Sequence, residues 1–151
     1  MSDEMNLDFP IFSGMSDEYR ARIASVALIE EYAADERLFR MGDPANASYL
    51  IQSGRLSLEV QGGPRGTIRI ETLEGGDAAG FSWLFPPHRW AFDGRAVDPL
   101  RVIALDGAQL RVLKSTDHEF GYEMMLRYSA VITDRLQATR MQLMDFYGDH
   151  G

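Results

Sequence analysis

The residues best suited to chemistry lie in one stretch, Gly76 to Arg95, which reads GDAAGFSWLFPPHRWAFDGR. An arginine, Arg89, stands in it among Phe81, Trp83, Phe85, Trp90 and Phe92. A guanidinium is a rigid fork of N–H donors that fits phosphate or carboxylate. Backbone amides at a glycine-containing turn, here Gly80 through Phe81, Ser82 and Trp83, can add to an anion site, the more so if a short helix starts at Ser82. The alternative for Arg89 is an ion pair with Asp93 or Asp98 and stacking on Trp90. The aromatic rings could stack on a base, line an apolar ligand pocket, or fill core. Pro86-Pro87 can neither continue a helix nor serve a central strand. The stretch is therefore expected to be a structured loop, packed by its own aromatics and carrying function.

Other chemistries find little support. The chain has no cysteine, which removes disulfides, thiolate metal ligands and cysteine nucleophiles. His88, His118 and His150 are far apart and form no metal-ligand pattern. No Ser-His-Asp order or carboxylate pair stands out, and Asp106 and Asp117 read as turn or cap residues. No catalytic residue, metal site or cofactor is assigned, and an enzyme is not expected. The net charge of −8 argues against a nucleic-acid-binding face, which needs clustered Lys and Arg. The N-terminus lacks a basic region followed by an apolar one, and no apolar run approaches the ~18 residues that span a bilayer. A cytoplasmic protein with no membrane contact is expected.

The elements that must position this loop follow from periodicity. The 151 residues suit one domain, 16–151, preceded by a lead-in, 1–15, whose Phe9, Ile11 and Phe12 could cover a core edge. Ser16 is a good N-cap, Asp17 and Glu18 suit a first turn, and Tyr19, Ile23, Val26 and Ala27 share a face, so a helix is expected over about 17–27. From Leu28 short apolar-alternating runs take over, divided by Gly42-Asp43-Pro44, Ser53-Gly54 and Gly62-Gly63-Pro64 turns. In Arg55–Val60, Leu56, Leu58 and Val60 face one way and Arg55, Ser57 and Glu59 the other, the mark of a half-buried antiparallel strand. GRAVDP, LRVIALDG and AQLRVLKS supply the last two or three of roughly eight strands, which suggests a jelly roll or small barrel. A helical period returns after Thr116 or Asp117. Phe120, Met124, Tyr128 and Val131 form one stripe. Ile132, Leu136, Thr139, Leu143 and Phe146 form a second, heptad-like one, ending at Gly148.

This order of elements and motifs resembles the cyclic nucleotide-binding domain family over about Phe12 to Tyr147. ERLFRMGDPANASYLIQSGRLSLEV looks like the family's strand, Gly-Asp turn, strand, Ser-Gly turn and strand, and Gly76-Asp77 looks like the Gly-Asp before its phosphate-binding cassette. Gly80 matches a cassette glycine, and His88-Arg89-Trp90-Ala91 lies where the family's arginine segment stands. Phe81, followed by Ser82, fills the position of the family's glutamate. The resemblance implies a mainly β fold, a double-stranded β-helix jelly roll with an N-terminal helix and a long C-terminal helix. It implies a ligand-sensing regulatory domain holding a cyclic nucleotide or another anionic small molecule at Gly80, Phe81, Ser82, Trp83, Arg89, Trp90 and Ala91. In the family the arginine and amides hold the phosphate and the glutamate holds the ribose 2′-hydroxyl, so this chain keeps the anion half of the site and lacks the sugar half. The resemblance also implies a homodimer through the C-terminal helix and an unidentified effector protein. Direct DNA binding is not expected, since the family's winged helix-turn-helix needs several dozen residues beyond Tyr147. Arg135, Gln137 and Thr139, where the family often contacts the base, are expected on a solvated face. Two competitors stay open: a ligand-free dimeric interaction module, and a barrel protein, enzyme or sensor, for an anionic aromatic ligand.

Overall fold

Alternation of side chains is what lets one sheet bury both of its faces here. The computed structural model describes residues 6–148. In order it contains α1 (Asp17–Ala24), β1 (Ala27–Tyr32), β2 (Arg37–Phe39), β3 (Ala47–Ser53), β4 (Leu56–Gln61), β5 (Thr67–Leu73), β6 (Ala78–Ala79), β7 (Asp93–Ala96), β8 (Leu100–Asp106), α2 (Gly107–Thr116) and α3 (His118–Gly148). The strands form two antiparallel sheets, ordered β1-β8-β3-β6 and β2-β7-β4-β5. This is the mainly β jelly roll, with a helix before it and a long helix after it, that the sequence leads one to expect. Along β8, Leu100, Val102 and Ala104 point between the two sheets, while Ile103 and Leu105 point toward the helices. Two cores result, one inside the roll and one under the helices.

The helical core holds Phe12, Ile23, Trp83, Leu110, Phe120, Met124 and Tyr128, all at or near zero exposure. Phe120, Met124 and Tyr128 are the first stripe of α3, as the spacing predicts. The lead-in contributes buried Phe9, Ile11 and Phe12 and is held by two arginines. Arg20 donates to the carbonyls of Leu7, Phe12 and Met15, and Arg127 donates to those of Ile11 and Ser13. Ser16 caps α1 by accepting from the Tyr19 amide, Asp106 caps α2 through the Gln109 amide, and Asp117 accepts from the Glu119 and Phe120 amides where α3 begins.

Three expectations need correction. The first helix ends at Ala24, and Ala27 already belongs to β1. The run AQLRVLKS is helical, forming α2 rather than a strand; the Asp106 cap and the pairing of Leu110 with Leu113 at helical spacing win over its short alternation. The polar face of β4 is not solvated. Ser57 is 0% and Glu59 2% exposed, because Arg95 on β7 clamps Glu59 and Arg69 on β5 donates to Ser57. At the far end of the chain, Phe146 of the second stripe and the residues after Gly148 lie outside the side chains and residues described. No helix among the described residues is long and apolar enough to cross a membrane.

Candidate ligand-binding site

The loop after β6 joins the two cores. β6 pairs with β3, setting Ala79 opposite Tyr49. Gly80 then turns the chain with φ +100°, a conformation that favours glycine. A Cβ there would come within 2.9 Å of the Ala47 carbonyl oxygen and of the Trp90 ring. The chain next makes two tight turns, with Leu84 N–H donating to Phe81 and Phe85 N–H to Ser82; no helix starts at Ser82. Trp83 drops into the helical core, edge-on to Tyr128 at 5.2 Å. Trp90 enters the core of the roll and stacks on Phe39, with centroids 3.6 Å apart and planes at 9°.

Between the two tryptophans the backbone is templated by the Gly42-Asp43-Pro44 turn. Ala45 N–H donates to the His88 carbonyl, Trp90 N–H to that of Asp43, and Gly42 N–H to that of Trp90. This fixes Arg89 opposite Pro44. Its Nη1 donates to the Gly42 carbonyl at 2.8 Å. Neither anticipated acid takes it. Asp98 pairs with Arg55, and Asp93 accepts from the Met41 amide and from Gln61. No carboxylate among the described residues lies within ion-pair distance of Arg89.

Gly80, Phe81, Ser82, Arg89, Trp90 and Ala91 line one cavity of about 360 Å³. Trp83 does not; its ring is fully buried on the helix side of the sheet. Of the rest of the wall, Phe85 and Phe92 are aromatics the sequence already marks as pocket candidates, whereas Phe39, Leu58 and Ile132 carry no such signal. Phe39 and Leu58 close the floor from β2 and β4, Phe85, Pro86, Pro87 and Phe92 extend the loop's own lining, and Ile132 and Arg135 of α3 complete it. Ion-pair and aromatic contacts hold Arg135 off the solvated face expected for it. Its guanidinium lies 4.9 Å over the Phe81 ring, donates to the Ala78 carbonyl and sits 3.8 Å from Glu71. Burial pulls its pKa below the usual arginine value. Gln137 and Thr139 are exposed, as expected. Phe81 meets Tyr128 edge-on at 6.0 Å, and the Tyr128 hydroxyl, pushed up to about 12 by burial, shares a 2.7 Å hydrogen bond with Ser48. The result is an aromatic cavity with guanidinium groups on its walls and a long helix as one side. Pockets of this kind suit an aromatic anion.

Comparison with known proteins agrees with this layout. The sequence pattern described as the cyclic nucleotide-binding domain matches residues 29–117. A candidate potassium channel protein of Rhodopseudomonas palustris is 31% identical over 104 residues, 69% of this chain; the chain spans 25% of that relative's length. The fold is shared with a candidate cyclic nucleotide-binding protein from Geobacter metallireducens, at TM-score 0.81 and 23% identity over 90% of this chain and 98% of that one. It is also shared with a cyclic nucleotide-binding domain from Methylobacillus flagellatus, at TM-score 0.78 and 19% identity over 89% and 75% of the two chains. With more than half of its length matched by the family's pattern, the chain belongs to the cyclic nucleotide-binding domain family.

Proposed function

We propose that this chain is a ligand-sensing regulatory domain whose cavity takes a phosphate-type small molecule, a cyclic nucleotide or a relative of one, rather than an enzyme. One observation carries the reading: Arg89 stands on the wall of an aromatic cavity with no carboxylate among the described residues to neutralise it. A guanidinium left without a counter-ion beside apolar rings favours an anionic ligand. The cavity stays open among its aromatics, which favours ligand binding over a filled, ligand-free module. Ile132 and Arg135 give the signal a route, since both the ligand wall and α3 share them. Occupancy shifts α3 only as far as the ligand prefers one of its positions. The exposed residues of α3 beyond the cavity would pass the signal to a second copy or an effector.

Isothermal titration of the wild type with cyclic AMP, cyclic GMP and other phosphate ligands tests this. Binding heat with at least one of them is expected, together with its loss in Arg89→Ala. No heat with any of them sinks the sensor reading.

A further inference from the structure

The outward side of α3 carries a repeat of its own. Tyr122, Leu126, Leu136 and Leu143 are each more than half exposed, and exposed Ser129, Thr133 and Arg140 stand between them. Together they recur at alternating steps of four and three residues, the period of a coiled-coil seam. The seam faces away from Phe120, Met124 and Tyr128, which are buried, and from Ile132, which lines the cavity. It keeps Leu136 and Leu143 of the stripe expected from the sequence and leaves Ile132 to the ligand wall.

A seam of this kind fits a second copy of itself, and its residues decide the direction. In a parallel pair each residue meets its own copy. Arg140 of one copy would then face Arg140 of the other, with no carboxylate three or four residues away to offset the charges. Ser129 would likewise face Ser129 and leave the middle of the seam thin. In an antiparallel pair centred on Thr133, Tyr122 meets Leu143, Leu126 meets Arg140 and Ser129 meets Leu136. Ser129 then lies against a large side chain, and the two arginines stand about 20 Å apart along the helices. The Arg140 stem covers Leu126 while its charged head reaches water. Thr133 suits burial at the axis, because its hydroxyl already donates to the Ser129 carbonyl at 2.8 Å. We propose that α3 pairs antiparallel with α3 of a second copy from Tyr122 to Leu143, about a two-fold axis beside Thr133. Ile132 and Arg135, the helical wall of the cavity, flank that axis, so each cavity backs onto the centre of the interface. The pairing does not depend on what the cavity binds.

The chain has no cysteine, so single introduced cysteines report the direction. The test is oxidation of purified Thr133→Cys, Tyr122→Cys and Leu143→Cys followed by non-reducing gel electrophoresis, with light scattering of the wild type beside it. The wild type is expected to be a dimer, and Thr133→Cys to cross-link to itself. Tyr122→Cys and Leu143→Cys alone are expected to stay uncross-linked, since antiparallel pairing parts like positions there by about 30 Å, far beyond the reach of a disulfide. Mixed and refolded together, those two are expected to cross-link to each other. Self-linkage of Tyr122→Cys or Leu143→Cys overturns the antiparallel direction. A monomeric wild type, or a dimer in which neither Thr133→Cys nor the mixture cross-links, overturns the seam itself. Where one of these variants lacks a native circular-dichroism spectrum, Leu126→Cys mixed with Arg140→Cys reads the same direction.

Discussion

Phe39 shows how closely single residues are fitted around the cavity. One face of its ring stacks on Trp90 at 3.6 Å, and Gly94 of β7 lies so near that a Cβ there would come 2.4 Å from the ring. Gly94 has no left-handed φ, so an alanine would act through sterics alone. Gly94→Ala forces Phe39 toward Trp90, and overpacking of this kind costs about 1–3 kcal/mol. The expected outcome is a lower denaturant midpoint with an altered tryptophan emission; an unchanged midpoint would mean that the ring has room to retreat. Among site residues, Arg89 was legible because its charge is at odds with its aromatic neighbours. Arg135 was not, because its charge suggested solvent. Its position was readable all the same: the stripe Phe120, Met124, Tyr128, Val131 reaches residue 135 at its next step. Trp83 misled in the opposite way. The loop wraps an edge of the sheet, and nothing local in the sequence tells which tryptophan falls on which side.

At the scale of elements, long periodic pieces were legible and short ones were not. β6 has two residues and no period at all; it exists because β3 offers it an edge. α2 was misread because eight residues can satisfy period 2 and period 3.6 at once, and a cap decided between them. Burial of Glu59 depends on Arg95, 36 residues away, and no local pattern carries that. The second stripe of α3 is where an element-scale expectation is still open to test. Leu136 and Leu143 of that stripe are 67% and 54% exposed, and Met141 and Met144 are exposed nearby, so these apolar side chains have no cover among the described residues. Such a stripe favours packing on another helix. A dimer is expected by light scattering of the wild type, and a monomer with unchanged circular dichroism for Leu136→Asp combined with Leu143→Asp. A monomeric wild type would count against α3 as a dimer seam.

For the whole molecule, the β2-β7-β4-β5 sheet is tied by charge as well as by its backbone ladder. Arg95 bridges Glu59 and Asp35 across the outer face of β2, β7 and β4, and Asp93 is bonded to the Met41 amide and Gln61 beside it. The Arg95 guanidinium holds the Glu59 carboxyl below its ordinary 4.5, and the Met41 amide holds Asp93 below 3.8. Pairing with Arg22 and with Arg55 lowers Asp117 and Asp98 in the same direction. A carboxylate depressed in the folded state binds its proton more readily once unfolded, so acid favours unfolding. The stabilisation is fully present above the ordinary carboxylate values and fades as pH falls through the lower, folded ones. Loss of the overall negative charge works the other way, since it relieves repulsion in a chain of net charge −8. The paired groups should dominate, because Glu59 is nearly without solvent to screen it. The melting temperature is therefore expected to hold from pH 7 to about 5 and to drop below about 4.5. Glu59→Gln should melt lower at pH 7 but lose less on acidification, so that the two curves converge. Parallel curves for wild type and Glu59→Gln would show that the Arg95 clamp is not what acid releases.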